Sequence, residues 1–333
     1  VDDVSDLPIC VTCGVQYGEP RDDCPICEDE RQYVGWEGQR WTSLRELRGA
    51  GHRSVVAEEG AGVFGVGTDP ATAIGQRALL VRTPSGNVLW DMVTHLDDDL
   101  IRQVNELGGI DAIAISHPHF YGTMVEWAHV FDAPIHIHSA DRRWVARPDE
   151  SVVFWDGDTH EIAEGLTLIN AGVHFDGGQV MHWRDGENGR GALFSGDILQ
   201  VVPDRRWVSF MYSYPNLIPE RPRTVRRALS LLEPYGFDRV YGGWWKRVVR
   251  TDGAAAVRRS AERYLRFALD DAPDDAPSAP DSALNEAPDS APGGPGTGSA
   301  AGAGGADGVP GRGGRERITA ETGHIPPRSP YTW

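Results

Sequence analysis

Cysteine is scarce in this chain: four among 333 residues, all within the first 27. A secreted disulfide scaffold scatters its cysteines along the fold, so that class is excluded. No apolar run approaches the roughly 20 residues of a membrane-crossing helix. The opening stretch, Val1-Asp2-Asp3-Val4-Ser5-Asp6, is acidic and lacks the basic and apolar regions of an export signal. The sequence therefore predicts a cytoplasmic protein with no membrane partner. Positive charge is in deficit too: 32 Lys and Arg stand against 49 Asp and Glu, a formal net charge of −17. That sign repels nucleic acid and anionic lipid, so neither is an expected partner.

Large apolar side chains are nearly missing from 271–314, a run of Ala, Pro, Gly, Ser and Asp. Such a stretch cannot offset its chain entropy by burial. Three regions follow: a cysteine module over 1–50, a main domain over 51–270, and a tail over 271–333 expected to be disordered. With 40% hydrophobic residues, the chain can bury a sizeable core. In the main domain, Ala78–Arg82 and Asn87–Trp90 read as a hairpin around Pro84-Ser85-Gly86. Asp98 to Leu107 has helical period and stops at Gly108-Gly109. Ile110 to Ile115 is a buried strand that runs into Ser116-His117-Pro118-His119. A helix is expected from about Thr123 to Phe131 and a strand over Pro134–His138. More strands are expected near Val152, Leu166, Val180 and Leu193. Helices over Thr224–Leu232 and Ala254–Ala268 bracket a strand at Arg239–Tyr241. Strands mixed with helices on outer faces predict a layered α/β domain.

The four cysteines form two Cys-x-x-Cys pairs, Cys10/Cys13 and Cys24/Cys27, ten residues apart. Each pair makes a tight turn that aims two sulfurs at one point. Two such turns supply the four thiolates of a closed, structural zinc site, a zinc ribbon. Thiolates alone do not choose the metal, so a rubredoxin-like iron is the alternative. With no open coordination position, the expected role is folding or docking.

His117 and His119 stand two apart at the end of a buried strand, where side chains point into a crevice. His174 lies in a glycine-rich loop after Leu166–Ile169. Asp197 follows Gly196 at another strand end. Three imidazoles and a carboxylate suit Zn²⁺, Fe²⁺ or Mn²⁺.

Over about residues 60 to 268 this order of elements resembles the metallo-β-lactamase fold superfamily, and a bacterial subgroup of uncharacterised members with an N-terminal ribbon in particular. The resemblance implies an αββα sandwich with metals at one edge. Its signature is His-x-His-x-Asp-His, a distant His, Gly-Asp and a last His. His117 and His119 match its start, His174 the distant His, and Gly196-Asp197 the Gly-Asp element. Asp91 is similar to the Asp that braces the ligand loop. Where the family has Asp-His this chain has Tyr121-Gly122, and Gly242-Gly243-Trp244-Trp245 stands where the last His is due. Those are second-metal ligands, so the resemblance implies a single ion.

A zinc with an open position lowers the pKa of bound water toward about 7. Asp197 could ligate the ion or serve as general base, Asp176 is a further candidate base, and Tyr121 a candidate hydrogen-bond donor to an oxyanion. The resemblance implies a hydrolase with a small-molecule substrate: an ester, thioester, lactone or phosphoester. The alternatives are an iron oxidoreductase resembling persulfide dioxygenases, with His117, His174 and Asp197 as ligands, or a non-catalytic binding module. His129, His136, His138 and His182 read as structural. The aromatic run Trp207, Phe210, Met211, Tyr212 and Tyr214, like Trp244 and Trp245, fits either a pocket or the core.

Overall fold

The computed structural model describes residues 6–269, and the stretch 271–333 read above as a disordered tail lies outside them. The N-terminal segment builds little regular structure. Strands β1 (Ile9–Cys10) and β2 (Trp41–Thr42) pair antiparallel, α1 (Pro25–Glu28) carries the last cysteine, and α2 (Leu44–Gly49) follows. Ser43 caps α2, its hydroxyl accepting the Glu46 amide at 3.2 Å.

The first sheet has seven strands in chain order: β3 (Arg53–Gly60), β4 (Val63–Asp69), β5 (Ala78–Thr83), β6 (Gly86–Trp90), β7 (Ala112–Ala114), β8 (Ile135–His138) and β9 (Val152–Trp155). Pairing is antiparallel up to β6 and parallel from β6 to β9. The three parallel steps need crossovers, which α3 (Asp98–Glu106), α4 (Met124–Phe131) and the short 3-10 segment Ser139–Trp144 supply in turn. Asp97 caps α3 by accepting the Leu100 amide at 2.8 Å. The second sheet takes β10 (Thr159–Ala163), β11 (Leu166–Asn170), β12 (Gln179–Trp183) and β13 (Ala192–Gly196). A single turn, α5 (Gly186–Gly189), joins its middle strands. Two ribbons follow, β14 (Gln200–Val201) with β15 (Val208–Ser209) and β16 (Met211–Ser213) with β17 (Ile218–Pro219). After α6 (Pro222–Leu232), strand β18 (Arg239–Gly242) joins β13 in parallel, β19 (Val248–Val249) closes the edge, and α7 (Gly253–Ala268) ends the described chain.

The side-chain period of two sorts these strands into three apolar layers. Leu79, Val81, Val88, Trp90, Ala112 and Ala114 face Leu168, Met181, Ala192, Phe194 and Tyr241 between the sheets. The intervening Leu80, Leu89 and Ile113 point outward to α3, α4 and the cysteine module. Ile169, Val180, Leu193 and Val240 point the other way, to α6 and α7. This is the αββα sandwich. Cys10, Cys13, Cys24 and Cys27 share one apolar cluster with Val93, Phe120 and Tyr121, so the module packs as part of the first sheet's outer layer. No helix of the described residues is long and apolar enough to cross a membrane.

The expected hairpin, helices and central strands stand within a few residues of their places. Strands β3 and β4 were not expected. The sequence Val-Phe-Gly-Val-Gly of β4 carries two glycines, which weaken a strand unless another group approaches closely. That group is Trp245: a Cβ on Gly65 would sit 2.5 Å from its ring and one on Gly67 3.0 Å. Trp245 is therefore a cover for the sheet.

Phe194 is fully buried between the sheets, its ring stacked on Tyr241 with centroids 5.1 Å apart. Phe194→Ala is expected to cost about 3–5 kcal/mol of stability, read by denaturant unfolding; a loss under about 1 kcal/mol would contradict this packing.

Candidate metal centres

At the cysteine centre, Cys10 Sγ lies 3.7 Å from Cys27 Sγ, and Cys13 Sγ lies 3.7 Å from Cys24 Sγ. A disulfide would bring sulfurs to about 2.05 Å. The edge of a tetrahedron with bonds of about 2.3 Å is about 3.8 Å, so the four sulfurs are spaced to surround one ion. All four are buried. Burial pushes the Cys13 thiol well above the usual thiol range, so a closed set of thiolates here calls for a cation. Gln39 Nε2 donates to Cys10 Sγ at 3.3 Å, and the Tyr17 hydroxyl lies 3.2 Å from Cys24 Sγ.

The histidine centre is built at the ends of β7, β11 and β13. Past β7 the chain turns through Pro118–Phe120, which sets His117 and His119 side by side with ring centroids 5.1 Å apart. Asp91 braces the turn by accepting the Ser116 amide at 2.7 Å. Ser116 Oγ pairs with His117 Nδ1 at 2.9 Å, leaving His117 Nε2 buried with no hydrogen-bond partner. His174 has a left-handed backbone, φ 69°, a conformation that costs a residue with a Cβ and needs support. The support is Glu220, whose Oε2 accepts the His174 amide at 3.0 Å, and the Tyr212 carbonyl, which accepts from His174 Nδ1 at 2.7 Å. That second bond fixes the tautomer and turns the Nε2 lone pair inward. His174 Nε2 then lies 3.1 Å from His119 Nδ1, close to the edge of about 3.3 Å of a tetrahedron with bonds of about 2.0 Å. One ligand atom from each of the three histidines falls within 4.8 Å of the other two.

Asp197 stands at the edge of this group. Its Oδ1 is 3.3 Å from His117 Nε2 without hydrogen-bond geometry, and it does not join the set whose members all lie within 4.8 Å. The preceding Gly196 has φ 54°, and a Cβ there would meet Ser116 Oγ at 2.7 Å and Asp91 Oδ2 at 2.9 Å. Only glycine lets β13 come this close to the histidine turn. Burial pushes the Asp197 carboxyl well above the usual range, with the charge of Asp91 adding to it. Burial holds His117 and His119 well below theirs, and His174 down to about 4. Neutral imidazoles are what a metal requires.

A cavity of about 40 Å³ opens on the centre, lined by Gln32, Ile74, His119, His174, Asp197, Gln200, Tyr214, Pro215 and Trp244. Trp244 and Tyr214 thus belong to the pocket, whereas Phe210 is a core residue. Tyr214 donates its hydroxyl to the Asp197 carbonyl at 2.7 Å.

Two candidates stand elsewhere. Tyr121 turns into the core, its hydroxyl buried without a partner, beside a small cleft with Val15, Gln16 and Gly122. The reason is its place in the first sheet's outer apolar layer, which points it away from the pocket. Asp176 is exposed, and its charge is felt at Asp141. His129, His138 and His182 pair with Asp149, the Gly157 carbonyl and the Gly236 carbonyl, and His136 packs by His160. None of the four joins the metal-ligand groups.

The family model of the metallo-beta-lactamase superfamily matches residues 71–244. The chain belongs to the metallo-β-lactamase superfamily. The uncharacterized protein YmaE of Bacillus subtilis (strain 168) is 48% identical over 262 residues, 78% of this chain and 95% of its own. Among solved structures, a B3 metallo-β-lactamase with an active-site glutamic acid matches 65% of this chain and 89% of its own, at 17% identity and TM-score 0.45. VMB-1 matches 65% and 98%, at 13% identity and TM-score 0.49.

Glu220, Ser116 and the Tyr212 carbonyl were missed by the sequence reading, because a carboxylate 46 residues from His174 and a backbone oxygen leave no local pattern. Three outcomes are expected. His119→Ala should lose the ion of the histidine centre while the cysteine centre keeps its own, as counted by elemental analysis. Tyr121→Phe, which removes an unpaired buried hydroxyl, should leave stability unchanged or raise it by up to about 1 kcal/mol in thermal unfolding. In metal-free chain, His174 binds a proton in the unfolded state near pH 6.5 but in the folded state only near 4. Its contribution to stability is therefore complete above 6.5 and is lost as pH falls toward 4; a flat unfolding free energy across that window would contradict its burial.

Proposed function

We propose that the chain is a metal-dependent hydrolase working with one ion held by His117, His119 and His174, with Zn²⁺ as that ion and a second, structural Zn²⁺ at the four cysteines. The observation that supports this reading most is the convergence of the imidazole nitrogens, two of them 3.1 Å apart, at the floor of a pocket. Three imidazole donors gathered within 4.8 Å of one another suit zinc. An ion with an open position there would supply Lewis acidity and a water acidified toward neutrality.

The protein's own groups divide the remaining work. Asp197 lies beside the centre rather than within it, its Oδ1 3.3 Å from His117 Nε2, where a carboxylate could accept a proton from a water on the ion. Tyr214 steadies the Asp197 backbone. Gln200 offers a buried Oε1 with no partner, an acceptor for a substrate N–H or O–H. Ile74, Pro215 and Trp244 give the lining an apolar part. The lining contains no Lys or Arg, and Asp197 opposes a second negative charge. These features favour a neutral acyl compound, an ester, thioester or lactone, over a phosphoester.

The test is a panel of those three substrate classes and phosphodiesters on zinc-loaded full-length protein, with metal counted by elemental analysis. One zinc at each centre and turnover of an acyl substrate is the expected result. Asp197→Asn should then lower kcat by about 10²–10⁴ with the ion retained. Iron at the histidines with a paramagnetic signal would favour the oxidoreductase reading, and histidines that bind no metal would leave the binding-module reading.

A further inference from the structure

The histidine loop is held from outside the sandwich, by the segment that leaves the cysteine centre. Two routes connect them. In the first, α1 ends two residues short of Glu30, and Asp29 grips Arg31 through Nε–Oδ1 at 2.6 Å and Nη2–Oδ2 at 3.2 Å. The guanidinium so fixed is buried over Phe175, 4.2 Å from the ring centroid, and its Nη1 donates to the His174 carbonyl at 3.5 Å. In the second, Asn216 Nδ2 donates to the carbonyls of Glu30 and Gln32 at 2.9 and 3.1 Å, and Ser213 Oγ donates to the carbonyl of Arg31 at 3.1 Å. The Tyr212 hydroxyl donates to Glu30 Oε1 at 2.5 Å. Tyr212 is also the residue whose carbonyl orients the His174 ring. Gln32, two residues after this anchor began, forms part of the pocket wall itself.

We propose that the four-cysteine centre controls the histidine centre: with its ion in place it positions Glu30–Gln32, and these residues hold His174 and the Tyr212–Asn216 segment in ligating geometry. This rests on the histidines being a metal centre, and extends it by making the cysteine ion a condition for retention of the histidine ion. Arg31 and Asn216 are positioning residues in this scheme. The cysteine module has no open coordination position and yet supplies one wall of the pocket, so its loss removes both a support and a contact surface. A supporting shell of this kind is worth about 10–100-fold in metal affinity.

Cobalt(II)-loaded full-length protein, competed with a chelator of known affinity, tests the scheme. Thiolate-to-cobalt charge transfer reports the cysteine centre, and total cobalt less that fraction reports the histidine centre. Arg31→Met and Asn216→Ala, which touch neither set of ligand atoms, should each weaken cobalt binding at the histidines about 10–100-fold while the thiolate band keeps its wild-type intensity. Release of the thiolate-bound ion by an organomercurial should likewise make the histidine ion chelatable. Histidine-centre affinity unchanged in both variants, or retained after the organomercurial, overturns the proposal. The affinity loss in a protein that hydrolyses no acyl substrate would refute the hydrolase reading while still supporting the coupling.

Discussion

The constraint on which the site depends is the backbone of His174. A non-glycine residue at φ 69° returns to a relaxed conformation unless hydrogen bonds over-determine it. Here the amide, the ring Nδ1 and the carbonyl of one residue are each engaged by a different element: Glu220, Tyr212 and Arg31. Glu220 is itself held, accepting the Arg221 amide at 2.7 Å, and its carbonyl takes the Tyr264 hydroxyl of α7. The outer helix layer of the second sheet and the cysteine module therefore meet at one histidine. Position of the imidazole within about half an ångström decides whether three nitrogens share an ion. The two layers are thus part of the site although neither donates a ligand to it.

The same geography explains what the sequence could disclose. Ligand types at strand ends are legible, because His117-Pro118-His119 follows a plainly buried strand and Gly196-Asp197 another. The cysteine pairs are legible for the same reason: four sulfurs in two tight turns have one common use. The hairpin around Pro84-Ser85-Gly86 and the helix capped by Asp97 declare themselves through local chemistry. Supports across long separations do not. Arg31 acts on a carbonyl 143 residues away, and the Tyr212 carbonyl is a group every residue has. Strand β4 was hidden because its glycines serve a tryptophan that comes almost 180 residues later. Direction is hidden too: Tyr121 follows the histidine pair closely, yet a short helical turn points it to the core.

That turning of Tyr121 bears on the number of ions. By the resemblance, Tyr121-Gly122 and the stretch Gly242-Gly243-Trp244-Trp245 stand where two-metal members carry ligands of the second ion. In this chain the space is filled from the N-terminal side. The Gln16 backbone N–H donates to the Gly122 carbonyl at 3.0 Å, Thr94 Oγ1 donates to the Gly14 carbonyl at 3.2 Å, and Arg147 Nη1 donates to Gln16 Oε1 at 2.6 Å. Phe120 packs against Trp244 with centroids 5.7 Å apart, and Trp244 Nε1 donates to the Ile74 carbonyl at 3.1 Å. A second cation there would need to displace packed apolar rings and a backbone hydrogen bond. The module that packs against this face is also the one whose Arg31 contacts the His174 carbonyl and whose Gln32 lines the pocket. A single ion with a buried carboxylate at its side can still activate water, because acidification of that water needs one cation and an acceptor, not two cations.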